Sequence, residues 1–83
     1  MVVTSKYITA DGLPVLEVSH EDDEEGGSLW QFHSGNGDYL MDHMQLVRLD
    51  TILNYDPTLV NIATLKMGCT ARRGSQDAPW VIE

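Results

Sequence analysis

Cysteine is nearly absent from this sequence: Cys69 is the only one in 83 residues. A single thiol excludes an internal disulfide and any zinc site built on cysteine pairs. Base is scarce as well. Five Lys and Arg face 13 Asp and Glu, for a net charge of −8. Such a surface repels the phosphates of nucleic acids and anionic lipid headgroups, and favours a basic partner. No apolar run approaches the roughly 18 residues of a membrane helix. The N-terminus lacks the basic-then-apolar layout of a signal peptide, so the expected location is the cytoplasm, with no membrane partner. Aromatics are few, two Trp, three Tyr and one Phe, so each is expected to be structural.

Catalytic patterns are missing too. No serine sits in a nucleophile elbow. His20, His33 and His43 lie in different predicted elements, with no compact metal-ligand spacing among them. Cys69 falls on the apolar side of a predicted strand, where cysteine behaves as a small hydrophobe. The glycines of Gly35-Asn36-Gly37 resemble a phosphate loop only superficially, because no Lys and no helix start follow them. The sequence therefore implies no enzyme activity, no metal and no cofactor. Its length allows one domain, residues 1–83.

What is present is unevenly placed charge. Eleven acids precede residue 66 against Lys6 and Arg48, whereas Lys66, Arg72 and Arg73 outnumber Asp77 and Glu83 beyond it. Five acids are consecutive, Glu21, Asp22, Asp23, Glu24 and Glu25, and two glycines follow. Like charges in a row repel one another, so this stretch reads as a solvated loop. Its spacing does not fit an EF-hand, which alternates ligands with spacers and places glycine sixth. It is the expected contact for a basic protein partner. The basic spot of Arg72 and Arg73 is expected to pair with the acidic face.

The predicted architecture is α+β: a small twisted antiparallel sheet of five or six strands with one short, broken helical segment at about residues 50–63. Residues 3–9 read as a strand, and Asp11-Gly12 as a two-residue hairpin turn. Residues 15–20 would be the return strand, with Leu16 and Val18 facing the core. Residues 28–34 form the strongest strand, with Trp30 and Phe32 pointing the same way into the core. Residues 44–49 read as a further strand leading to the helical segment. Asp50 is the expected N-cap of the first turn, and Ile52 is among the apolar residues that dock it on the sheet. Pro57 interrupts the helix, and Asp56 is expected to cap a second short helix with Pro57 at its first position. Residues 66–72 and 80–82 read as the last two strands, paired as a hairpin that includes Trp80.

The segments Ser28-Leu29-Trp30-Gln31-Phe32-His33-Ser34-Gly35 and Leu49-Asp50-Thr51-Ile52-Leu53-Asn54-Tyr55-Asp56-Pro57, followed by Leu65 and Gly68, carry a resemblance. Across about residues 13–73 the chain resembles the bacterial immunity-protein 33-like family, domain of unknown function 2185. That family shows a Trp-x-Phe strand, a Thr-Ile-x-x-Tyr-Asp-Pro type of helical turn and a later glycine-containing strand. Leu29 departs from the glycine that the family favours. The resemblance implies a non-enzymatic module that binds and neutralises a cognate toxin domain. Trp30 and the Tyr55-Asp56-Pro57 turn would then be scaffold, and the acidic loop contact. The alternative is a small structural or regulatory domain acting through self-association or an operon partner.

Overall fold

The computed structural model describes residues 2–22, 25–37 and 40–83, and the backbone alone of Met41. It is an α+β domain built on one six-stranded sheet. The elements are β1 (Val2–Ser5), α1 (Lys6–Thr9), β2 (Glu17–Asp22), β3 (Ser28–His33), a 3-10 turn (Met41–His43), β4 (Met44–Val47), α2 (Leu49–Tyr55), a 3-10 segment (Pro57–Ile62), β5 (Cys69–Arg72) and β6 (Val81–Ile82). Strand order is β4-β1-β3-β2-β5-β6. Four of the five pairings are antiparallel, and β1 with β3 is parallel.

That parallel pair corrects the expected hairpin between residues 3–9 and 15–20. Ser5 ends β1, and its hydroxyl accepts from the Tyr7 amide at 3.1 Å as the N-cap of α1. The helical turn buries Ile8. Gly12, at a φ of 73°, helps the chain leave it, and the Leu13 amide bonds back to the Tyr7 carbonyl at 3.0 Å. Asp11-Gly12 therefore closes a helical turn rather than joining two strands. The chain crosses to lay β2 one place further out, and β3 returns into the gap. The 66–72 strand is also shorter than expected. Gly68 sits at φ 86° and its amide meets the His20 carbonyl, so the ladder begins at Cys69.

One face of the sheet forms the core. A row across it runs Gln45, Thr4, Phe32, Val18, Ala71 and Ile82. Phe32, Val18 and Ala71 are buried there with Ile8, Val15, Ile52, Leu59, Ile62 and Leu65 from the helical and loop segments. Val18 faces the core as expected, whereas Leu16 precedes the strand and is half-buried. Trp30, also as expected, shares the Phe32 face.

The broken helix behaves as its proline dictates. The α2 helix ends at Tyr55, and Asp56 caps the following segment: its Oδ1 accepts from the Thr58 amide at 3.0 Å, with Pro57 at the first position. Asp50, expected as the N-cap of α2, is not. The chain turns out of β4 at Arg48, which occupies the cap with no side-chain hydrogen bond. Asp50 lies in the first turn, exposed and paired with Arg48 at 3.1 Å. Its charge still complements the helix N-terminus. Tyr55 is half-exposed and contributes one bond, its hydroxyl to the Thr9 carbonyl at 3.3 Å.

Candidate apolar cleft beside an acidic hairpin

Between β3 and the helical layer lies a cleft of about 260 Å³. Trp30 and Phe32 of β3 line its sheet side, Leu53 of α2 and Leu59, Ile62 and Ala63 its helical side. Leu49 and Val60 complete it, 47% and 60% exposed, and so form an apolar mouth rather than a packed wall. The cleft exists because α2 and the 3-10 segment are broken apart at Asp56-Pro57. Ile52, Leu59 and Ile62 dock on the sheet, but Leu49 and Val60 cannot reach it from their sides of the two short turns.

Trp30 is held in place by its neighbours. Its ring stacks on His20, centroids 4.0 Å apart at 13°, and lies 6.2 Å from Phe32. His20 Nδ1 donates to the Leu65 carbonyl at 2.8 Å, which fixes the plane against which Trp30 lies. Stacking of this kind adds about 0.5–1.5 kcal/mol beyond area burial.

The β2–β3 hairpin extends from this end of the cleft. His20 is opposite Trp30, and the last pair is Asp22 with Ser28. By strand alternation Asp22 shares the face of His20 and Trp30, about 7 Å further along. Glu21, Asp22 and Glu25 are exposed. Asp23 and Glu24 lie outside the described residues. Of the five expected contacts, three are thus placed on the hairpin, with Glu21 on the opposite face from Asp22. Three of the five cations are engaged within the fold: Arg48 by Asp50, Arg72 by Glu17 and Glu83, and Arg73 by Asp56. The expected pairing of Arg72 and Arg73 with carboxylates is therefore observed, but in two different settings. Arg72 is exposed and Arg73 is buried.

The Arg73 site was not legible as a distinct feature. Its guanidinium bonds Asp56 Oδ2 at 2.6 Å, the Val15 carbonyl at 3.0 Å, the Gln76 carbonyl at 2.9 Å and the Thr58 hydroxyl at 3.1 Å. Trp80 lies over it, 4.2 Å from ring centroid to guanidinium carbon. Burial pushes the Asp56 carboxyl upward, but hydrogen bonds from Thr58 and Gln76 and the charge of Arg73 outweigh it and hold the group below its ordinary value. This is a structural staple tying the 3-10 segment to the strand layer; Trp80, expected within the last strand, instead precedes β6 and covers the guanidinium.

The histidines are dispersed. His20 pairs with Cys69 across β2 and β5, His43 meets Tyr7 edge-on, and His33 lies on the sheet face away from the cleft. Among the described residues no group of three or more His, Cys, Asp and Glu side chains is placed to hold a metal ion. His33 is 5% exposed. Its Nε2 is 3.0 Å from Gln31 Oε1, and the Gln31 amide nitrogen donates to Glu21 at 3.1 Å, so Nε2 is the donor toward Gln31. Burial lowers the His33 pKa below its ordinary 6.5, with Glu17 and Glu21 partly opposing the shift. The sign follows by linkage. The folded state holds His33 neutral while the unfolded chain takes up a proton near its ordinary value. Stability is therefore expected to fall as pH drops below about 6.5 and to level off below the folded pKa. Urea titrations between pH 7 and 5 should show a shallower slope for His33→Gln than for the native chain; equal slopes contradict this assignment.

Comparison with protein-family models, curated proteins and solved structures finds no match to the chain. Among the described residues no helix is long and apolar enough to cross a membrane. Fold and site together define an α+β domain that presents an apolar cleft, with an acidic hairpin extending from the strand that carries Trp30.

Proposed function

We propose that this protein is a non-enzymatic binding module that holds a basic protein partner, in the manner of an immunity protein neutralising a toxin domain. The observation that supports this reading most is the juxtaposition on one sheet face of an apolar cleft and exposed acid: Trp30, then Asp22 two residues along the paired strands. Such a surface suits a partner segment with an apolar side chain for the cleft and Lys or Arg for the hairpin. Among the described residues the cleft is lined by apolar side chains, with no acid, base or nucleophile among them. The net charge of −8 favours the approach of a basic partner.

Co-expression with the product of the adjacent gene, followed by affinity capture, tests the proposal. The expected result is a complex that weakens as salt is raised. Its affinity should fall roughly tenfold or more when Glu21, Asp22 and Glu25 are together replaced by Lys. No complex, or a complex indifferent to those three reversals, rejects the reading.

A further inference from the structure

The proposed partner site leaves the opposite side of the molecule unexplained. There, β4 is an outer strand of the sheet, with sequence Met44-Gln45-Leu46-Val47. Outer strands in soluble domains are usually blunted by proline, lysine or a bulge, because their unpaired amides and carbonyls template another strand. This strand carries no proline or lysine, and its register with β1 is unbroken over all four residues. Among the described residues, its backbone makes no hydrogen bond beyond the one ladder. Its side chains are apolar where exposure should make them polar. Leu46 is 62% exposed, and with Met44, Val3 and Leu29 it borders an open depression on the sheet face away from the helices.

We infer that β4 pairs antiparallel with β4 of a second copy of this chain, joining the two sheets across a two-fold axis at Gln45. The alternation of β4 selects that register. An axis perpendicular to the sheet keeps faces matched, so only residues of equal parity can oppose one another. With the axis at Gln45, Leu46 opposes Met44 of the other copy, an apolar pair on the depression's side. Arg48 then meets the turn that carries Asp42 and precedes β4 in the other copy, and the symmetry repeats the contact. Arg48 and Asp42 are both exposed. The neighbouring register, centred on Leu46, would instead oppose Met44 to Arg48. Charge complementarity thus favours one occupant and one register. The acidic hairpin joins β2 to β3, so β1 separates β4 from the nearer of its strands.

Sedimentation equilibrium of the purified chain over a wide concentration range tests this. The native protein is expected to show a reversible monomer–dimer equilibrium. Leu46→Lys, Arg48→Asp and Asp42→Arg should each weaken it by roughly tenfold. The double variant Arg48→Asp with Asp42→Arg should recover most of the loss, because the swapped pair restores the cross-axis contact. Arg48 also pairs with Asp50 within its own chain, so recovery by Asp42→Arg is what separates the proposed contact from a local one. A native chain that stays monomeric throughout overturns the inference. So does a double variant no better than its parents, or a Leu46→Lys variant that dimerises like the native chain.

Discussion

Replacing Asp56 by alanine is expected to remove about 3–5 kcal/mol of stability, the cost of stripping one partner from a buried ion pair. A domain of this length commonly holds on the order of 4–12 kcal/mol in total, so the variant should lose a large share of its stability. The two oxygens of this one side chain have different tasks. Oδ1 caps the Pro57–Ile62 segment through the Thr58 amide, and Oδ2 meets Arg73. A lost cap alone costs about 0.5–2 kcal/mol. The larger figure arises because Arg73, its side chain only 2% exposed, would keep its charge with no carboxylate beside it. Arg72→Ala supplies the contrast. Its two carboxylate partners sit at the surface, where such pairs contribute under about 1 kcal/mol. Urea unfolding of both variants checks the difference: an Asp56→Ala chain within 1 kcal/mol of the Arg72→Ala chain contradicts the staple. Acid should act through the same group. The folded pKa of Asp56 lies below its ordinary 3.8, so its contribution is fully present above that value and is lost as pH falls through the folded pKa.

The contrast between these two arginines shows where sequence reading stops. Adjacent in the chain, they look alike, and strand alternation says only that they face opposite ways. That Arg73 turns inward becomes visible only once β2, the 3-10 segment and Trp80 have converged on it. Local signals fared better. The alternation of β3, the Asp56-Pro57 cap and the pairing of β5 with β6 each depend on residues close in the chain, and each is found in the structure. The parallel pairing of β1 with β3 has no local signature. It depends on Ser5 capping a turn of helix that propensity alone gives little reason to start. The cleft was half-legible. Trp30 and Phe32 on its sheet side were recognisable as apolar residues sharing one strand face, but the unfilled space follows from which side chains of the helical layer reach the sheet, and that is a tertiary property.

Phe32→Ala and Trp30→Ala should separate folding from binding, although the two residues are neighbours on one face of one strand. Phe32 is 3% exposed and lies mid-sheet between Thr4 and Val18; the Thr4 hydroxyl donates to the Phe32 carbonyl at 3.0 Å. Its ring touches both the core and the cleft, so truncation leaves a void that surrounding strands cannot close, at a cost of about 3–5 kcal/mol. Trp30 is half-buried and lines the same cleft nearer the acidic hairpin. Its truncation removes a stacking contact and part of an apolar surface, and should cost stability clearly less than the Phe32 change. Its effect on partner affinity should run the other way, because a large aromatic beside charged groups is the typical anchor of a protein interface. Phe32→Leu keeps most of the buried volume and serves as the folded comparison for binding measurements. Equilibrium unfolding and titration against the captured partner, run on the same three variants, give both orders. If Trp30→Ala is the more destabilising change and leaves affinity untouched, Trp30 is a core residue and the cleft is not where the partner binds.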